Sequence, residues 1–170
     1  MSVTQFNLTS GQRAERKLLI TVAEWTEGTG TVREVLGRRT EDSSIDYNPD
    51  VETTTDILGI NYTDLNKTQP QQDFDPYLIL GGSKLGAKLN DIRRRNALSE
   101  LNQFTIYIIT AFVGTTGAYQ AEKHTGCTIV YNSIGGDSNV NMPISVYLSN
   151  SITTGTVDAL TDAFVFTADS

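Results

Sequence analysis

The sequence predicts a mainly β fold: a β-sandwich or barrel-like core with one flanking α-helix and a long polar arm or loop. Three observations carry that expectation. Short runs rich in β-branched and aromatic residues fill the second half of the chain, separated by Gly114-Thr115-Thr116-Gly117, Gly135-Gly136-Asp137 and Thr154-Gly155. A single stretch has helical periodicity. Between the first strands and that helix, Arg38 to Asp75 is dominated by Thr, Asp, Asn and Gln. A polar stretch of that length inside a small domain is uncommon unless it is functional or bound to something.

The chain has 170 residues, near the size of one domain, so a single unit over 1–170 is expected. Hydrophobic residues at 38% and charged residues at 19% place it among ordinary folded proteins and away from collagenous or disordered classes. Lys17 to Trp25, with Leu18, Ile20 and Val22 on one face, precedes Glu27-Gly28-Thr29-Gly30 and then Thr31 to Leu36. That pattern reads as a β-hairpin. In the polar arm, 38–75, the one candidate for a short strand is Ile57-Leu58-Gly59-Ile60-Asn61-Tyr62.

Gly81-Gly82-Ser83 then offers a helix start with Ser83 as N-cap, and Leu85, Leu89, Ile92 and Asn96 recur at helical spacing. The helix is expected over 83–98, with Lys84, Lys88, Arg93, Arg94 and Arg95 on its outer face and Asp91 pairing with Arg95. The strands expected after it are Phe104 to Val113, Tyr119 to Lys123, Cys127 to Tyr131, Ile144 to Leu148 and Ala163 to Thr167.

No catalytic, cofactor or metal site emerges from the residue pattern. The single histidine, His124, weakens any triad and removes most zinc sites, and Cys127 three residues later supplies too few ligands to change that. Cys127 reads as a small buried hydrophobe. Asp46-Tyr47-Asn48-Pro49-Asp50 opens like a calcium loop, but Val51 stands where Gly is required and Ile57 where the bidentate Glu belongs. Gly81 to Gly86 lacks the order of a P-loop, so helix capping explains its glycines. The formal net charge of −7 disfavours binding to phosphate backbones or anionic lipid, and three consecutive arginines on a helix point in different directions. Met1 to Asn7 has neither a basic start nor an apolar core of a leader, and no run reaches bilayer length. Folding in the cytoplasm without a membrane partner is the expectation.

The residues Asp50-Val51-Glu52-Thr53-Thr54-Thr55-Asp56-Ile57-Leu58-Gly59, Gln69 to Tyr77, and Gly126-Cys127-Thr128-Ile129 through Gly135-Gly136-Asp137 to Gly155-Thr156-Val157-Asp158 resemble the major tail (tail tube) proteins of bacteriophages. The likeness spans about two thirds of the chain, from Asp50 to Asp158. It implies a structural virion protein of the tail, assembled in the host cytoplasm. Its copies would form hexameric rings stacked into a tube, with the helix outside and sheet lining the lumen. Tape measure, tail terminator and baseplate or tip proteins are the partners implied, and DNA would pass through on ejection without specific binding. The segment 38–75 would be the arm that contacts neighbouring subunits, mobile in the free subunit and ordered in the assembly. Asp50, Thr54, Asp56, Gln71 and Asp73 on the arm and Arg93, Arg94 and Arg95 on the helix are the subunit-contact candidates.

A capsid decoration protein and the tube protein of a contractile injection system fit the same composition. From a different class, a carbohydrate-binding β-sandwich would use Trp25 and the seven tyrosines as stacking platforms. An enzyme would need a nucleophile or acid–base pair that the sequence does not display.

Overall fold

The structure, a computed structural model, describes residues 4–170. Met1 to Val3, the start of the run read above for a leader, lie outside the described residues. The strands in chain order are β1 (Leu19–Glu27), β2 (Gly30–Val35), β3 (Ile45–Asp46), β4 (Asp50–Thr55), β5 (Asn61–Lys67), β6 (Gln71–Phe74), β7 (Phe104–Thr115), β8 (Ala118–Tyr131), β9 (Ile144–Tyr147), β10 (Ile152–Val157) and β11 (Phe166–Ala168). The one α-helix among the described residues, α1 (Lys84–Arg95), lies between β6 and β7.

Nine strands form one antiparallel sheet in the order β2-β1-β7-β8-β9-β6-β3, with β10 paired to β8 and β11 to β10. The mainly β expectation with one flanking helix therefore holds. The centre of the sheet is apolar on both faces, and the alternation of side chains sends β7 into two cores. Phe104, Ile106 and Ile108 enter the larger core with Ala23, Trp25, Ile129, Ile144 and Val146. Tyr107 and Ile109 enter a smaller one with Val22, Ala121, Val157 and Phe164.

The helix closes the larger core. Leu85, Leu89 and Ile92 are fully buried, and burying each such side chain is worth about 1.5–3 kcal/mol. Ser83 is the N-cap as expected, its Oγ accepting from the Gly86 amide at 3.1 Å. Glu34 on β2 completes the cap: its carboxylate accepts from the Leu85 amide at 2.6 Å and from the Ser83 hydroxyl at 3.1 Å. A negative side chain at a helix N-terminus is favoured by the axial dipole as well as by those bonds. The helix ends at Arg95, short of the expected Leu98, because Asn96 takes the left-handed conformation (φ 53°) and caps it. Asn96 is thus a terminator and not a member of the apolar stripe. A 3₁₀ turn, Leu98–Asn102, follows.

Two further expectations change. The segments around Tyr119 and Cys127 belong to one strand, β8, instead of two. Gly126, at φ 71°, absorbs a bulge there, and β8 exchanges partners across it. One edge of β8 pairs with β7 on both sides of the bulge, while the other pairs with β10 before it and, from Thr128 to Tyr131, with β9 beyond it. The last expected strand is displaced to Phe166–Ala168, and β10 was not anticipated because Ile152 to Val157 is mostly Thr and Gly.

The polar arm departs most. It contains four strands, β3 to β6, whereas Ile57 to Gly59 forms a turn between β4 and β5. Its last part is not an arm at all. β6 pairs with β9 and β3, and Gln72 and Phe74 are buried within the main sheet.

Candidate assembly interface

What remains of the arm is a β-hairpin. β4 and β5 pair only with each other, and every residue of both strands is exposed. The strands form because threonine, valine and tyrosine favour the pleated conformation, and Thr53–Thr63 and Thr55–Asn61 side-chain hydrogen bonds of 3.2 and 2.7 Å tie them together. Asp56 shapes the turn. Its carboxylate accepts from the amides of Leu58 at 2.8 Å and Ile60 at 2.9 Å, which holds its pKa below the ordinary carboxylate range. The turn carries apolar side chains into solvent: Ile57 is fully exposed and Leu58 is 77% exposed.

The predicted contact residues are spread over three places. Asp50 and Thr54 lie on β4, opposite Lys67 and Tyr62, and Asp56 is occupied by the turn. Gln71 and Asp73 lie on β6 in the main sheet, with the Gln71 amide donating to Asp73 at 2.9 Å. Arg95 is clamped inside the chain by Asp91 at 2.7 Å, the expected i,i+4 pair, and by Glu100 at 3.0 Å. Paired with Arg95 and Lys88, Glu100 is drawn down to a pKa of about 2. Arg93 donates to Asn90 at 2.9 Å, and Arg94 makes no side-chain hydrogen bond or ion pair among the described residues. No hydrogen bond or ion pair joins the hairpin to the helix among the described residues. Val51 and Leu65, which stand opposite each other on one face of the hairpin, are not among the predicted contact residues, nor is Tyr62, which stands opposite Thr54 on the other face.

The cluster around His124 and Cys127 is closed. His124 is buried, with Nδ1 3.0 Å from the Ser149 carbonyl and Nε2 3.1 Å from the Glu122 carboxylate. Both neighbours are acceptors, so neither ring nitrogen is left as a free base. The Cys127 thiol is buried beside them and pushed up in pKa by desolvation, and the Ser149 hydroxyl donates to the Thr125 carbonyl. No group of three or more metal-ligating side chains is found among the described residues. Trp25 is buried at 4% exposure and Tyr107 at 2%, so neither can serve as a sugar platform. No helix of the described residues is long and apolar enough to cross a membrane.

His124 has a pH consequence. Burial lowers its pKa, but the hydrogen bond and charge of Glu122 and the Ser149 carbonyl outweigh burial, and the net shift is upward. A pKa raised on folding stabilises the protein below the unfolded value of about 6.5, and the contribution disappears as pH rises through the folded value. The urea midpoint is therefore expected to fall on going from mildly acidic to mildly alkaline pH. His124→Gln is expected to flatten that slope. An unchanged slope in the variant shows that another group sets it.

No protein-family model matches the sequence, and no curated protein matches it. In fold, the chain is similar to a chain of a solved structure described as the anti-feeding prophage baseplate, six-fold symmetrised, determined by cryo-electron microscopy. The two are 8% identical, with a TM-score of 0.48 over 86% of this chain and 97% of that one.

Proposed function

We propose that this chain is a structural subunit that assembles with copies of itself through the β4–β5 hairpin, as the tube subunit of a bacteriophage tail. The observation that supports the proposal is the hairpin's isolation: a two-stranded sheet exposed on both faces, with isoleucine and leucine at its tip. Such a hairpin is at best marginally stable alone in water, and it gains a third layer or strand only from another molecule. In a ring, contacts of this kind repeat around a closed symmetry and stop, which converts exposed strands from an aggregation liability into specific assembly.

The hexameric ring, the stacking of rings and the passage of DNA follow from the resemblance in sequence to tail tube proteins. An excess of acidic over basic residues, 20 against 13, suits a conduit that must not retain a phosphate backbone. The chain acts without catalysis, cofactor or metal in this reading. Tape measure, terminator and baseplate proteins are its partners in the virion.

The test is assembly of concentrated purified protein, seen by negative-stain microscopy and light scattering. Rings stacked into tubes are expected. A variant with Asp50 to Lys67 replaced by a short Gly-Ser link is expected to keep its circular dichroism and remain monomeric. Wild-type protein that stays monomeric at high concentration overturns the proposal.

A further inference from the structure

Resting on that assembly reading, we propose that the acidic face of the β4–β5 hairpin docks on the Arg93–Arg94 end of α1 in a second copy of this chain. The two faces of the hairpin differ. Residues directly opposite in an antiparallel pair share a face, so Val51 with Leu65 and Thr53 with Thr63 make one neutral surface. Glu52 with Asp64 and Thr54 with Tyr62 make the other, and Asp50, two residues before Glu52, extends it.

Glu52 and Asp64 are therefore like charges placed directly across the ladder, an arrangement that destabilises a free-standing pair. Among the described residues neither is in an ion pair; the acidic partners of the lysine and arginine bridges there are Glu15, Glu24, Asp162, Glu100 and Asp91. Lys67, opposite Asp50, is the one cation on that face. The face is short of positive charge that a partner can supply.

This chain carries a matching surface. Most of α1's cations are spoken for: Lys84 by Asp162, Lys88 by Glu100, and Arg95 by Asp91 and Glu100. Arg93 and Arg94 are exposed, and among the described residues Asn90 is the only side chain bonded to either. The Arg95 clamp to Glu100 fixes the helix end to the following turn, so these two guanidiniums stand on a preorganised base and lose less freedom on binding. A second adjacent pair, Arg38 and Arg39, is also exposed but lies in a turn, where Arg39 has a left-handed φ of 59°. The rigid pair is the better complement. Each α1 receiving its neighbour's hairpin makes a heterologous contact that repeats around a ring or along a stack.

The experiment is a charge exchange, read as the protein concentration at which assembly begins, with circular dichroism to confirm folding. Glu52→Lys with Asp64→Lys, and separately Arg93→Glu with Arg94→Glu, are each expected to raise that concentration about tenfold or more at low salt. Combining all four is expected to restore it to within about threefold of wild type, because the attraction is re-formed with its signs reversed. Arg38→Glu with Arg39→Glu is expected to leave it unchanged. The docking proposal is overturned if either reversal has no effect, if the fourfold variant shows no recovery, or if the Arg38–Arg39 reversal does what was expected of Arg93–Arg94. Should the charge variants assemble normally while the hairpin-less variant does not, assembly through the hairpin stands and this docking site falls. A monomeric wild type sinks both.

Discussion

Replacing Phe104 with alanine is expected to lower stability by about 3–5 kcal/mol, measured as the loss in urea or guanidinium unfolding free energy. Phe104 is 1% exposed at the start of β7, paired with Cys127 beyond the β8 bulge, and its ring meets Trp25 edge-to-face at 6.1 Å. Truncation loses the transfer free energy of the ring, that aromatic contact and the packing around the space left behind. The space offers little compensation. Trp25 Nε1 is a buried donor without a hydrogen-bond partner among the described residues, and a water needs two or more polar partners to settle in a cavity. Phe104→Leu, which refills most of the volume, is expected to cost about 1.5 kcal/mol or less. A Phe104→Ala loss no larger than that of the leucine variant contradicts the role assigned to this residue as the joint between β1, β7 and β8.

Glu24→Ala is expected to cost about 2–3 kcal/mol, because it leaves a half-buried guanidinium without its counter-ion. Glu24 and Arg33 are cross-strand neighbours on β1 and β2, 2.5 Å apart, with side chains 15% and 23% exposed. Arg33 also lies 4.2 Å from the centre of the Phe164 ring and donates to the Phe164 carbonyl, so it pins the segment after β10 over the smaller core. Its guanidinium cannot shed its proton to escape the loss. Replacing Glu24 and Arg33 together by leucine is expected to cost less than Glu24→Ala alone, since an apolar pair leaves no stranded charge. If the double variant unfolds more readily than the single one, the pair contributes more than mutual neutralisation.

Much of the fold was legible in the residues because burial imposes a period. β1 and β2, β7, β9 and the helix all present apolar side chains at the spacing of their own geometry, and Ser83 announced the cap. Glu34 did not. It reaches the helix N-terminus from 51 positions away in sequence, and no local pattern contains that distance. The division of β7 between two cores was equally invisible, since a run apolar on both faces names no partners for either.

The arm shows where that legibility ends. A strand exposed on both faces has no apolar alternation, so Asp50 to Thr55 and Thr63 to Lys67 carry no strand signal, and of the short strand expected over Ile57 to Tyr62 only Asn61 and Tyr62 lie in β5, while Ile57 to Gly59 form the turn. The candidate site was half legible: the segment was singled out, but its acidic face exists only in the register that sets Glu52 against Asp64.

By itself the sequence determined the class of the fold and the flanking helix, because these depend on composition and on contacts near in sequence. The tertiary structure alone decided that Gln71 to Phe74 belongs to the core, that β8 bends through Gly126 to serve both halves of the sheet, and that Arg95 is occupied while Arg93 and Arg94 have no ion pair among the described residues. Each of those is a pairing between residues far apart along the chain, and whether a charge or a strand edge is satisfied depends on which partner the folded backbone brings within reach.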